Sequence, residues 1–225
     1  KHINILIEVT ELGNSSINKF EKEYFLNYQE KFLQNMKSIN NVNLFKKYKN
    51  FPQKLTLVLG THRSGTSALT GLLCKNNILG FPLDKLETDE HNQSGYWELR
   101  SIWSNNDNLL NKLGVNWKNI YKIDSNWIFS KYSSEWQNCF LNIINKELNG
   151  INNPALKDPR FCFLLKGIKP WYESDILKFS FIVIVRHPIE VIISLKTRQK
   201  EFEKNYASLT DFLRLYINSL FEIES

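Results

Sequence analysis

The sequence is short of several features that would assign it to a specialised class of protein. Its 225 residues include three cysteines, Cys74, Cys139 and Cys162, and none of them belongs to a C-x-x-C pair or has metal-ligand spacing. A disulfide framework is therefore disfavoured, and we expect each thiol to be a small buried side chain among apolar neighbours. No apolar run approaches the roughly 18 residues of a membrane span, and the first residues lack a signal-peptide pattern.

Long blocks of one charge are also missing. Lysine and arginine number 29 against 23 aspartates and glutamates, a net charge of +6. This mild excess suits a small anionic ligand, and the absence of a basic block or RNA-reading motif predicts no nucleic-acid partner. We expect a cytoplasmic location. A Golgi-lumenal one stays open, because a chain that begins at Lys1 and stops within a helical pattern at Ser225 reads as a piece of a longer protein.

The chain divides near residue 50. Residues 1–50 carry an aromatic stripe at helical spacing and are interpreted as an N-terminal helical extension or the end of a preceding region. An asparagine-rich stretch and Phe51-Pro52 then lead into one domain over 51–225. Strands are predicted there at 55–59, 154–157 and 179–185, and helices at 67–75, 99–113, 136–148, 190–200 and from 209 onward. This alternation predicts an α/β domain with a central parallel sheet, in which the β-branched run at 179–185 is buried on both faces.

A glycine-bounded loop follows the first of these strands. Gly60-Thr-His-Arg-Ser-Gly65-Thr-Ser67 is nearly the phosphate-binding loop G-x-x-x-x-G-K-[ST], with Thr66 in place of the lysine. Such a loop directs backbone amides and the positive end of a helix dipole at an anion, and Arg63 supplies a cation. The alternative, an ordinary tight turn, is disfavoured by the two glycines, the arginine and the hydroxyl residues together. We predict a P-loop NTPase-like three-layer fold.

The strand at 179–185 ends in Arg186-His-Pro rather than in a carboxylate. An ATPase or GTPase of the usual kind needs both the loop lysine and an aspartate that holds Mg²⁺. The chain offers neither at these positions. A strand that ends in arginine indicates a second anion-binding point, and we expect no metal site.

Both segments resemble those of sulfotransferases of the bacterial and Golgi type, which use 3′-phosphoadenosine 5′-phosphosulfate (PAPS). The segment 61–67 is similar to their 5′-phosphosulfate loop, and Arg186 and Ser194, eight residues apart, are similar to their 3′-phosphate segment. The segment 155–160, Ala-Leu-Lys-Asp-Pro-Arg, resembles their Lys-Asp-Pro segment, and 92–98 resembles their Gly-aromatic-Glu stretch. The resemblance covers 55–194.

The resemblance implies transfer of a sulfonate from PAPS to a hydroxyl or amine of a carbohydrate, lipid-like or peptide acceptor, with 3′-phosphoadenosine 5′-phosphate (PAP) as product. It implies that Lys157 reaches the sulfonate and that a general base is needed. Glu98 is the first candidate by motif position and His91 the second, because its pKa suits neutral pH. The implied donor-binding residues are Thr61, His62, Arg63, Ser64, Gly65, Thr66, Ser67, Arg186 and Ser194.

Several alternatives stay open. Asp84, Glu87 and Asp89 lie in the same stretch as Glu98, and any of these carboxylates can be merely a solvated loop residue. Four tryptophans are candidates either for an acceptor cleft or for core packing: Trp97, Trp103, Trp117 and Trp127. Two further functions compete, a P-loop small-molecule kinase that uses ATP and Mg²⁺ and a non-catalytic sulfotransferase-like binding module. Glu190 replaces the aspartate that is usual in the family. The family's further basic loop is not identifiable after Ser194, so the domain is predicted to be truncated at its C-terminus.

Overall fold

The computed structural model describes residues 51–52, 54–90, 92–116, 123–169, 171, 177–198, 213, 216–218 and 220. The hypotheses for residues 1–50, for His91 and for Trp117 lie outside them. Within the described residues, strands alternate with helices, which confirms the α/β class.

Between residues 54 and 198 the predicted elements are present, with most ends shifted by one or two residues, and the helix predicted from residue 136 begins five residues earlier, at Lys131. The helix predicted from residue 209 onward lies mostly outside the described residues. The strands are β1 (Lys54–Leu59), β2 (Ala155–Lys157) and β3 (Lys178–Val183). The helices are α1 (Thr66–Lys75), α2 (Arg100–Lys112), α3 (Lys131–Glu147), α4 (Phe161–Leu164) and α5 (Pro188–Arg198), with short 3₁₀ turns at Leu83–Lys85, Ser125–Phe129 and Leu165–Gly167. The helix predicted from residue 190 begins two residues earlier, at Pro188. A proline suits the first helical position because its missing N–H has no partner to lose there.

The three strands form a parallel sheet in the order β2-β1-β3. The central strand, β1, pairs Val58 with Lys157 on one side and with Ile182 on the other. All three strands point the same way, so the segments that follow them leave from one edge of the sheet. In open α/β sheets this carboxyl edge is where ligands bind.

The core next to this edge is aromatic. Phe140 of α3 packs against Phe161 of α4 and against Trp171, with ring centroids 5.8 and 5.6 Å apart. Trp136, one turn before Phe140, lies 5.7 Å from it. These rings are nearly inaccessible to solvent. Because Phe161 lies four residues after the end of β2, their packing helps to hold the chain that leaves this strand.

Two expectations about burial are wrong. β3 is not buried on both faces: its side chains are exposed or half-buried, and 39% of Phe181 is exposed. The reason is that β3 is an edge strand of the sheet formed by the described residues. Cys139 is exposed, because it lies on the outer side of α3, whereas Cys74 is half-buried and Cys162 is buried as expected.

None of the helices in the ranges given above is both long enough and apolar enough to cross a bilayer.

Candidate anion-binding site at the carboxyl edge of the sheet

The glycine-bounded loop turns sharply between β1 and α1. The backbone N–H and the hydroxyl of Ser64 both donate to the carbonyl of Thr61, at 3.1 and 2.7 Å. Gly65 then takes a left-handed φ of 98°, and α1 begins at the next residue. At Gly60 a Cβ atom would lie 2.8 Å from the carbonyl oxygen of Ile184 and 2.7 Å from the Ser64 hydroxyl. Only glycine therefore allows the loop to pack against the chain that leaves β3.

The loop presents polar hydrogens where a phosphate-binding loop needs them. The first N–H groups of a helix have no partner within the helix, and in α1 these groups include those of Thr66 and Ser67, the last two residues of the loop. The hydroxyl oxygen of Thr61 is buried and has no hydrogen-bond partner among the described residues. A buried hydroxyl without a partner is costly, so an anion that accepted its hydrogen would stabilise the loop.

Arg63 lies at the centre of the loop in a left-handed conformation, with φ of 68°. This conformation costs a non-glycine residue about 1 kcal/mol, and two contacts across the site hold it in place. The Arg63 Nε donates to the hydroxyl of Ser194 at 2.9 Å, and the Arg63 carbonyl accepts from Nη1 of Arg186 at 3.1 Å. Arg186 and Ser194 thus contact the loop separately. Arg186 binds the backbone carbonyl of Arg63, and the hydroxyl of Ser194 accepts from the Arg63 side chain.

Arg186 has further partners on its own segment. Its Nε donates to Glu190 at 2.8 Å, one helical turn later, and the hydrogen bond and charge of Arg186 lower the pKa of the Glu190 carboxyl. The hydroxyl of Tyr216 donates to the carbonyl of Arg186. Two contacts thus hold the guanidinium and a third holds the backbone carbonyl of Arg186. The side chain remains 40% exposed and accessible to a ligand.

Lys157 meets the other end of the loop. It is the last residue of β2, its side chain is 1% exposed, and its Nζ donates to the Ser67 hydroxyl at 3.0 Å and to Glu98. Burial raises the pKa of Glu98 and lowers that of Lys157, because both charges have lost water, although the ion pair opposes both shifts. The predicted base candidate and the predicted sulfonate-binding lysine are therefore in direct contact beside the start of α1.

A buried polar network continues from Lys157 along the chain. Asp158 accepts from the side-chain amide of Asn106 at 2.8 Å and from Nη1 of Arg160 at 2.8 Å. The side-chain oxygen of Asn106 accepts from the indole N–H of Trp136 at 2.8 Å. Arg160 also pairs with Asp107. Asn106 and Asp107 belong to none of the sequence motifs. The signal that points to Asn106 is its spacing of four residues from Ile102 and from Leu110, on the buried side of α2.

The other acidic candidates near Glu98 have local partners. Asp89 accepts from the backbone N–H of Asn92 at 2.8 Å and from the hydroxyl of Tyr96. Glu87 pairs with Arg100 at 2.7 Å on the surface. Of Glu87, Asp89 and Glu98, it is Glu98 that contacts Lys157. His62 is half-buried in the loop.

The candidate tryptophans differ in burial. Trp97 and Trp127 are buried, as core packing requires. Trp97 lies so close to α1 that a Cβ atom on Gly71 would be 2.6 Å from its indole nitrogen. Trp103 is half-buried, and its ring faces the guanidinium carbons of Arg160 and Arg100 at 5.8 and 5.9 Å from the ring centroid.

Comparisons with protein-family models, with curated proteins and with solved structures found no match. Within the described part of the chain, no group of three or more histidine, cysteine or acidic side chains is placed to hold a metal ion. The geometry itself defines what the site can do. The loop carries Arg63, meets Arg186 at that residue, and meets the buried pair of Lys157 and Glu98 at Ser67. This arrangement suits a ligand that carries more than one anionic group.

Proposed function

We propose that the chain is a PAPS-dependent sulfotransferase, built on a P-loop NTPase-like arrangement of sheet and loop. The observation that carries this proposal is the distribution of cations around the loop. Arg186 contacts it at Arg63, and Lys157 contacts it at Ser67, four residues further on. PAPS carries two separate anionic groups, a 5′-phosphosulfate and a 3′-phosphate, and so matches two cationic contacts better than does the single phosphate chain of ATP.

The residues present fit this donor. The Thr61 hydroxyl, which is buried without a partner among the described residues, and the amides at the start of α1 suit the 5′-phosphosulfate. The partly exposed guanidinium of Arg186, with Ser194 nearby, suits the 3′-phosphate, since arginine forms paired hydrogen bonds with phosphate oxygens. The remaining loop residues between Thr61 and Ser67 then shape the backbone around the donor.

When bound, PAPS supplies an activated sulfonate: a bond forms from the acceptor oxygen or nitrogen to sulfur, and the bond from sulfur to the phosphate oxygen breaks, which leaves PAP. In our proposal Glu98 accepts the proton of the acceptor, since its raised pKa favours proton uptake. Protonation removes the negative charge that faces Lys157. The ammonium of Lys157 is then available to the negative charge that develops on the leaving phosphate, beside Ser67.

The first test is a calorimetric titration of the purified chain with PAP and, separately, with ATP and Mg²⁺. We expect micromolar binding of PAP, its loss in Arg186→Ala, and no heat with ATP. Lys112→Ala is the control, because it removes the same charge from a surface ion pair with Glu135 on α2 and α3. Binding of ATP that depends on Mg²⁺ would favour a kinase, and binding of neither ligand would contradict the donor site. PAP binding without turnover of PAPS on hydroxyl and amine acceptors would point to a binding module.

A further inference from the structure

Tyr216 contacts the candidate site at Arg186. Its ring is buried in a cluster with Val191, Ile192 and Leu195 of α5, and Leu213 and Leu220 pack against the same cluster. Its hydroxyl leaves this apolar cluster and donates to the backbone carbonyl of Arg186. The apolar cluster needs only the ring, so the hydroxyl performs a separate task.

The hydrogen bond of Tyr216 is the first link of a chain that ends in the loop. The carbonyl of Arg186 is fixed by Tyr216, and the guanidinium of the same residue donates to the carbonyl of Arg63 at 3.1 Å. Arg63 in turn donates to Ser194 at 2.9 Å. Because Arg63 has a left-handed φ of 68°, its conformation depends on contacts of this kind, which compensate for the steric cost.

The segment between β3 and α5 also needs an external anchor. Residues 184–187 belong to neither element, and Val185 is 61% exposed. The backbone N–H of Ile184 donates to the carbonyl of Leu59 at 2.9 Å, which fixes the start of this segment. Tyr216 fixes the segment again at Arg186, two residues later.

We propose that Tyr216 is a positioning residue for the donor site: its hydroxyl holds the backbone of Arg186 so that the guanidinium reaches both the loop and the 3′-phosphate of the donor. The part of this inference that concerns the donor rests on the proposed function. The part that concerns Arg186 and the loop does not. Tyr216 is thereby required for donor binding although it contributes no cation to it.

The test compares Tyr216→Phe, which removes only the hydroxyl, with Tyr132→Phe on α3. Tyr132 is a matched control because its ring is half-buried beside Lys112 and Lys131 on another part of the surface. Hydrogen exchange is measured for the amides at 60–66 and 184–187, with those of α3 as an internal reference. We expect faster exchange in both segments for Tyr216→Phe, unchanged exchange in α3, and no effect of Tyr132→Phe. Unchanged exchange at 60–66 in Tyr216→Phe would overturn the proposal.

PAP affinity distinguishes a positioning role from a purely structural one, because a purely structural role of the Tyr216 hydroxyl would leave the affinity unchanged. Loss of one hydrogen bond predicts binding about 5-fold weaker in Tyr216→Phe. In the Arg186→Lys background, which weakens but keeps the cation, Tyr216→Phe should cause almost no further loss, because the guanidinium that the Tyr216 hydroxyl positions is already absent. Equal losses in both backgrounds would contradict a role through Arg186. If the wild-type chain does not bind PAP, the proposed function fails, and the exchange experiment alone decides the role of Tyr216.

Discussion

In the proposed reaction, Glu98 accepts the proton of the acceptor and Lys157 faces the charge of the leaving phosphate. Both are largely withdrawn from water, and their side chains are 17% and 1% exposed. Desolvation disfavours the charged form of each group, which is why the pKa of the acid rises and that of the base falls. A proton therefore costs less to place on this carboxylate than on one at the surface.

We predict that the rate of sulfonate transfer depends on the protonation of Glu98. The ionised carboxylate is the form that accepts a proton, so kcat/KM should rise with pH through the pKa of Glu98, and burial places this pKa above the usual value of about 4.3. Glu98→Gln should lower kcat/KM by about 10² to 10⁴-fold and remove the acidic limb of the pH profile. The measurement is PAPS turnover between about pH 4 and 9.

Glu135→Gln is the matched control for Glu98→Gln. Glu135 also pairs with a lysine, at 2.7 Å, but on the surface, and we expect it to leave the profile unchanged. PAP titration of Glu98→Gln shows whether the donor site survives the substitution. A Glu98→Gln variant that binds PAP and keeps the wild-type pH profile would remove Glu98 from the role of base and transfer attention to His91.

At the scale of elements, the end of β2 is tied to α2 and α3 by one side chain. Asn106 donates to Asp158 and accepts from Trp136, each at 2.8 Å, and is itself inaccessible to solvent. The network holds the residue next to Lys157, and so links the packing of two helices to the position of the ammonium. Buried polar groups of this kind are costly when one partner is removed.

Asn106→Ala is predicted to lower the free energy of unfolding by about 3 kcal/mol, because it leaves an oxygen of the Asp158 carboxylate and the indole N–H of Trp136 without a partner. Asn108→Ala, two residues later on the exposed side of α2, should change it by less than about 0.5 kcal/mol. Urea unfolding of both variants measures the difference. Similar midpoints for the two variants would show that the network contributes little to stability.

At the scale of the whole molecule, the three cysteines differ in burial according to their positions in the fold. Cys162 follows β2 and is inaccessible to solvent, and burial raises its pKa to about 12. Cys74 on α1 is half-buried, with its pKa raised to about 11, also by burial. Cys139 is exposed on α3.

Thiol modification should follow the same order, because the thiolate is the reactive form and needs access to the reagent. In the native protein we expect Cys139 to react first, Cys74 slowly, and Cys162 only when the protein unfolds. Reaction with a thiol reagent at neutral pH, followed by mass spectrometry of the peptides, gives the three rates, and the same reaction in urea gives the reference. Native modification of Cys162 at the rate of Cys139 would contradict the burial of the segment that follows β2.

The sequence by itself determined the local features of this protein. The glycines of the loop, the β1 run before it and the helical spacing after it lie within about 20 consecutive residues, so their conformation follows from short-range sterics and hydrogen bonding. The α/β class followed from the alternation of such elements. Lys157 and Glu98 were identified by their motifs, as chemical types at positions along the chain.

Only the tertiary structure decided which of these residues meet. Glu98 and Lys157 are 59 positions apart, Arg63 and Ser194 are 131 apart, and no local pattern encodes such a contact. The pairing of Ser194 with Arg63, the contact of Arg186 with the loop backbone and the half-exposure of β3 depend on which strands are neighbours and which strand stands at the edge. Sheet order is set by the packing of the whole chain, because it requires that all buried faces be covered at once.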